Sequence, residues 1–498
     1  MKAKVSKKYF VLIAVLTAAA TTVALTSCHN GGSAPQTETT SAASQAVTQT
    51  VTQADSTAST ASTTGTAAVA AKKLAESDIK INDTVTNEAD GEHAITADGE
   101  TKTVSNTLVT KTGEADGDEA DFYGSNAAIF ATNGGNLTLK DMVVKTNGTH
   151  ANAVFSYGEG TTVTISDSYI ETSGNCSGGL MTTGGGTMNA QNLTITTSGN
   201  SSAAIRSDRG GGTVNVTGGD YTTSGKGSPV IYSTADITVN DANLTSTASQ
   251  GVVVEGKNSV TLNNVTLTAD NNTKNSDKSS YYQAVMIYQS MSGDAAEGLS
   301  GFTMNGGTLT NKNGDVFFVN NTATEINLSG AQIINNGDGV FLRAAAAGWG
   351  TEGSNGGQVT LNASNQTING DMIVDSVSHL NLYLKSGSSF TGAINSDGQA
   401  GEVYVEIEDG STWTLTSDSY ITSLTCGTGA INLNGHKLYI NGTEYTANSS
   451  STGTAIAVKA SSTGGGQGGT RRCKAGRQPA RKTGRELTGN GTEVILKQ

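Results

Sequence analysis

The stretch AAIRSDRGGG, Ala203–Gly212, gathers the residues best equipped for chemistry. Only Arg206, Arg209 and Arg343 precede residue 470, and the first two flank Asp208 here. A guanidinium beside a carboxylate can bind sugar hydroxyls or acidic groups, take part in a lyase reaction, or merely close a turn. A second cluster, GEADGDEAD, sets Asp116, Asp118, Glu119 and Asp121 around a glycine. Oxygen ligands at alternate positions suit a hard cation such as calcium. The spacing matches no EF-hand, and a solvated acidic loop is the alternative. His93, His150, His379 and His436 are scattered, so they form no metal or catalytic set.

What must position these groups is a repeat. LTLKDMVVKTNG (from 137), VTISDSYIETSG (163), MNAQNLTITTSG (188), VNVTGGDYTTSG (214), ITVNDANLTSTA (237) and VTLNNVTLTADN (260) begin 23 to 26 residues apart. Apolar residues at the first and third positions, with Thr or Asn between them, are a strand with one buried face. A further apolar site follows in the second strand (Val144, Ile170, Ile195), and another in a third (Val154, Leu180, Ile205, Ile231). Gly, Asn, Asp and Ser between the strands tolerate the positive φ of tight corners. Three short strands and three turns make one coil, which needs neighbours to satisfy its edges. The pattern resumes at Phe302, Ile326, Val359, Leu380 and Val403. The expectation is an all-β chain, a right-handed parallel β-helix solenoid of roughly a dozen rungs, about 60 Å long.

On these repeats the chain resembles the right-handed parallel β-helix proteins of the pectate-lyase-like superfamily, and most closely the β-helix lipoproteins of gut anaerobes described as adhesin-like or carbohydrate-binding. The resemblance spans about residues 78–446. Enzymes of similar fold carry paired aspartates with Gly-His-Gly, or clustered aspartates holding calcium beside an arginine. This chain has neither an Asp-Asp pair nor Gly-His-Gly, so the expected role is non-catalytic. A polysaccharide lyase or hydrolase with an unfamiliar site, and a plain surface spacer, are the alternatives.

With Ile205 inward, alternation turns Arg206 and Asp208 outward. Aligning Val154, Leu180, Ile231, Val254, Ile287 and Leu342 with Ile205 yields an outward column of Phe155, Met181, Arg206, Tyr232, Glu255, Tyr288 and Arg343. Tyr157, Asp208 and Lys257 lie two residues on. Aromatic faces and charged groups at rung spacing suit a sugar, so this column is the expected glycan-binding face. The alternative is a structural ladder in which Arg206 pairs with Asp208. Two insertions interrupt the period, 270–283 and 343–357. Trp349 in the second either extends the face or plugs a rung edge.

The ends read differently. Lys2, Lys4, Lys7 and Lys8 precede an apolar run ending in LTSC, which resembles a bacterial lipobox. Residues 1–28 are therefore expected to be a lipoprotein signal with Cys28 as the lipidated N-terminus and a membrane anchor, placing the protein outside the cytoplasm. Residues 29–71, rich in Ser, Thr, Ala and Gln, read as a disordered tether about 35–40 Å in root-mean-square length. Residues 72–446 are the β-helix with terminal caps: a short helix in AAVAAKKLAES and a hairpin in HKLYINGTEYT. Residues 447–498 read as a Gly-rich and then basic disordered tail, native or frameshifted. The net charge of −13 conceals an acidic body between two basic ends, which excludes nucleic acid as a partner and leaves a glycan or host surface. Cys176, Cys426 and Cys473 show no disulfide or metal spacing.

Overall fold

The computed structural model describes residues 73–458, except 275, 277, 399 and 400. Cys28, the tether and the basic tail lie outside the described residues. The described chain is a right-handed parallel β-helix. Its strands stack into three long sheets: sheet 1 from Asp83–Asn87 to Gln332–Asn335, sheet 2 from Ile95–Asp98 to Asp371–Val374, and sheet 3 from Thr101–Ser105 to Ser423–Cys426. They hold 10, 11 and 13 strands, and neighbouring strands within each sheet belong to consecutive rungs. Two smaller sheets complete the C-terminal end.

The repeat maps directly onto this coil. Leu137, Val163, Met188, Val214, Ile237 and Val260 stand in register on sheet 3, buried in one continuous core with Val144, Ile170 and Ile195 of sheet 1 and Val154, Leu180 and Ile205 of sheet 2. Between sheets 3 and 1 the chain turns through one left-handed residue. Asn106, Asp141, Asp167, Asn192, Asp241 and Asn264 occupy this corner, with φ from 50° to 54°. Short polar side chains tolerate that conformation best among residues with a Cβ. Asn264 donates to Asp241 at 2.7 Å, so the corner residues are also linked along the stack.

The corner between sheets 1 and 2 has a stricter requirement. Gly148, Gly174, Gly199 and Gly225 stack directly, and a Cβ on each of the last three would lie 1.8–1.9 Å from the carbonyl oxygen of the glycine before it. Beside them runs a buried hydroxyl ladder. Thr172 Oγ1 donates to the Ser177 carbonyl at 2.6 Å, Thr197 to Ser202 at 2.5 Å and Thr223 to Ser228 at 2.7 Å. The Ser202 and Ser228 hydroxyls in turn donate to the Gly174 and Gly199 carbonyls, at 3.0 and 2.8 Å. A Thr-x-Gly-x-x-Ser spacing thus fills a corner too narrow for apolar side chains and satisfies its backbone.

The ends depart from expectation. Among the described residues, the 73–77 part of AAVAAKKLAES forms no α-helix over the first rung. Residues 73–82 instead run over the outside of sheet 1, where Lys73 pairs with Asp220 at 2.9 Å, the Leu74 amide donates to Thr194 Oγ1 at 2.9 Å, and Glu76 pairs with Lys145 at 2.7 Å. A 3-10 turn at Glu76–Asp78 is the only helical part of this strap. The C-terminal hairpin does form: Leu438–Ile440 pairs antiparallel with Thr443–Glu444 around Asn441 and Gly442, both at positive φ. The chain does not leave the solenoid at 446, however. Ser451 pairs with Cys426, and Ile456 exchanges two 2.9 Å hydrogen bonds with the Asn381 side chain on sheet 3.

The glycine column gives a direct test. Gly199→Ala should lose more than about 2 kcal/mol, because backbone in two rungs must shift, whereas Asn215→Ala on the outer face of sheet 3 should stay within about 0.5 kcal/mol. Thermal melts of the two variants beside the wild type check this.

Candidate functional site

Alternation places the expected residues on the outer side of sheet 2, but that side is not open to water. Phe155, Arg206, Asp208, Tyr232, Glu255, Tyr288 and Trp349 are each at most 1 % exposed. Tyr157 and Arg343 are half-buried and Lys257 is exposed. The expectation of a solvent-facing sugar platform is therefore corrected: the column is a second interior, roofed by distant segments. Helix α1 (Asp118–Tyr123) covers one end, where Thr183 Oγ1 donates to the Phe122 carbonyl at 2.6 Å. Residues 289–298 and 345–356 cover the other.

The register within the column also differs. Ile231 pairs with Val252, and Val252 with Val285, two residues before the expected Val254 and Ile287. One row therefore runs Phe155, Met181, Arg206, Tyr232, Val253, Met286, Phe318 and Arg343. Glu255 and Tyr288 pair with each other in the neighbouring row. A slip of two preserves which face a side chain takes, so inward and outward assignments survive while neighbours change.

Three contact sets fill the space under the roof. Phe130, Phe155 and Met181 form an apolar patch beneath α1, with His93 stacked on Phe130 at 4.5 Å. Next, the Arg206 guanidinium bonds Asp208 at 2.6 Å and Asp121 of α1 at 3.2 Å. Burial works against the Arg206 charge, but Asp121 and Asp208 outweigh it and hold the group above its ordinary range. One cation cannot fully compensate two buried carboxylates. Burial accordingly pushes Asp208 up to about 7, with Arg206 offsetting only a fraction of the rise. Arg209 ties the roof together, bonding Asp294 at 2.9 Å and Asp118 at 3.1 Å with its guanidinium 3.6 Å from the centre of the Phe122 ring.

The third set is built on Glu255. It accepts hydrogen bonds from Tyr232, from Tyr288 at 2.9 Å and from Ser290. Burial raises this carboxyl, and the three hydroxyls counter that rise incompletely; burial likewise carries both tyrosines well above their usual range. Trp349 packs edge-on against Tyr288 at 5.1 Å and lies within an apolar cluster containing Tyr232, Val253, Met286 and Phe318. It is a plug rather than an extension of an open face. Arg343 grips Asp315 through two bonds of 2.7 and 3.0 Å under Tyr281, and burial lifts Asp315 to about 6.

The acidic cluster is divided among these tasks. Asp118 faces Arg209 and Asp121 faces Arg206, while Asp116 and Glu119 are exposed. Among the described residues no three His, Cys, Asp or Glu side chains converge as a metal-binding set. Sequence reasoning missed Asp294, Ser290 and Asp315. The first two sit in QSMSGDAAEG, an excursion of ten residues whose Ser and Asp lie beside the strand end at Tyr288.

What faces solvent is plainer. On the outer side of sheet 3 the hydroxyls and amides of Thr164, Ser166, Asn189, Gln191, Asn215 and Thr217 line a groove of about 360 Å³ across three rungs. Asn215 donates to Asn189 at 3.0 Å along its floor. The architecture thus defines the class, a parallel β-helix with one roofed face and a polar open one. No family model matches the chain, and no curated protein matches it either.

Two measurements probe the roofed face. Arg206→Met leaves Asp121 and Asp208 buried without their cation, which should cost about 3–5 kcal/mol and open α1 to protease. Denaturant titration with limited proteolysis reads both effects. The second concerns Asp208. In the unfolded chain it titrates near the ordinary carboxylate value of about 4, so between there and its raised native value the fold holds a proton that the unfolded chain has lost. Its stabilising contribution is full below about pH 4 and disappears as pH rises through about 7. Relative to Asp208→Asn, the wild type should therefore melt higher at acidic than at alkaline pH; an offset independent of pH would mean that folding leaves the Asp208 carboxyl at its ordinary value.

Proposed function

We propose that the chain is a non-catalytic lipoprotein of the bacterial cell surface, related to the pectate-lyase-like β-helix lipoproteins, that binds carbohydrate with the open side of its solenoid. The observation that carries this reading is the division of side chains. The ionisable and aromatic groups of sheet 2 are spent on one another beneath a roof, so a polymer meets neither Arg206 nor Glu255. What it meets on sheet 3 is a regular array of hydroxyl and amide groups at the rung spacing of about 4.8 Å. In the groove lined by Thr164, Asn189, Asn215 and their neighbours, where no charged side chain is found, this array offers paired donors and acceptors to sugar hydroxyls. The acidic body favours neutral glycans over polyuronates. The lipid on Cys28 and the tether would hold the solenoid outside the membrane.

The full-length chain, incubated with plant, mucin and bacterial glycans, should retain at least one class and release no shortened products. Product formation would make it an enzyme, and neither retention nor products would make it a spacer. Cys28→Ala should abolish labelling by a fatty-acid analogue, read on a gel; persistent label would remove the anchor.

A further inference from the structure

Eight consecutive strands of sheet 3, from Thr162–Ser166 to Gly357–Ser364, stay in register without a bulge. Their outward residues form two rows, one from Thr164 to Asn362 and the next from Ser166 to Ser364. Both rows consist only of Thr, Ser, Asn and Gln, each half-buried or exposed. At about 4.8 Å per rung the rows are about 34 Å long, and they stand about 6.6 Å apart. Asp236 and Glu325, the two charged residues of these strands, lie in the row beyond.

The amides of these rows are joined along the stack. Asn215 Nδ2 donates to Asn189 Oδ1 at 3.0 Å, Asn263 to Asn240 at 2.8 Å, Asn305 to Asn263 at 2.9 Å and Asn362 to Asn327 at 3.0 Å. All four bonds point the same way along the solenoid. A primary amide has two N–H groups and an oxygen with two lone pairs, so each laddered Asn keeps capacity for a ligand above the sheet. The ladder also holds these side chains in place before anything binds, which leaves little rotamer freedom to lose.

This array has a counterpart among neutral glycans. Chains of N-acetylated sugars pack in the solid by stacking their acetamido groups, N–H to C=O, from one chain to the next. Amide hydrogen bonding sets the repeat of such a stack just as it sets the rungs and Asn ladders of a protein, at about 4.7–4.9 Å. The two lattices therefore stay in step along the whole length of the rows, where a ligand of another repeat would drift out of register. Hydrogen bonds exchanged against water are individually weak, so a soluble oligosaccharide crossing a few rungs gains little. An ordered surface engages all the rungs at once and has no chain left to order.

We infer that this face of sheet 3 binds crystalline polymers of N-acetylhexosamine, with their acetamido stacks lying along the Asn ladders. The inference rests on the carbohydrate-binding reading above and names its substrate class.

The test measures depletion of the full-length chain from solution by crystalline chitin, the solid polymer of N-acetylglucosamine, and by crystalline cellulose, which has no amide. A triple variant, Asn215→Ser with Asn263→Ser and Asn327→Ser, keeps the face polar and removes the ladders. Thr238→Lys places a charged side chain in the middle of the rows. Melting confirms that both variants are folded. The expected result is retention on chitin about tenfold or more tighter than on cellulose, a loss of similar size in both variants, and no displacement by the soluble N-acetylglucosamine hexamer. Equal retention on the two solids, displacement by the hexamer, or unchanged retention of the folded triple variant would each overturn the lattice while leaving carbohydrate binding in place. If the wild type binds no glycan, solid or dissolved, the functional reading falls and this inference with it.

Discussion

The distance between successive rungs is the constraint on which the rest of this molecule depends. Parallel hydrogen bonding sets it at about 4.8 Å, and at the corner between sheets 1 and 2 nothing larger than a hydrogen atom fits between one Cα and the carbonyl below. Every other regularity follows from keeping that spacing. Apolar residues fill the core in rows, Asn and Asp turn the opposite corner at positive φ, and Thr and Ser hydroxyls satisfy the carbonyls beside the glycines. A residue that widened the spacing at one rung would break contacts on all three sheets, since the strands of each rung pair only with those of the rungs beside it.

The same spacing explains why the outer side of sheet 2 became a second interior. Side chains on a parallel stack stand one above another, so a charged residue meets whatever its neighbours carry. Here Arg206 sits between Met181 and Tyr232, neither of which can neutralise it. Its counter-charges come from its own strand, through Asp208, and from α1, 85 residues earlier, through Asp121. Glu255 likewise recruits Ser290 from the 289–298 excursion. The excursions are thus anchored by polar bonds and sealed by apolar plugs such as Trp349. Their burial is costly to each charge taken alone and becomes tolerable only because several groups are satisfied together.

How much of this was legible depended on the range of the interaction. The coil, its rows and its corner residues were readable because period two and the 23-to-26-residue repeat are local properties of LTLKDMVVKTNG and its copies. Inward and outward faces were readable for the same reason. Rung-to-rung register was not fully readable: Val254 and Val252 both satisfy the pattern, and only the length of the preceding turn selects between them. The roof was not readable at all. Whether Arg206 faces water depends on GEADGDEAD folding back as a helix, and nothing near residue 206 encodes that.

The strap of residues 73–82 has a mechanical consequence. The chain enters near Asp220, several rungs along sheet 1, and runs back to the first rung before the coil begins. A pull on the chain ahead of Lys73 is therefore felt first in the middle of the solenoid. It is borne there by a few surface bonds arranged in series, which break singly instead of together. Peeling the strap would release about 30 Å of slack at roughly 3.3 Å per residue, and the first rung would take load only after that length had run out. The strap is thus a shock absorber in line with the core, yielding reversibly before any strand is drawn from the stack.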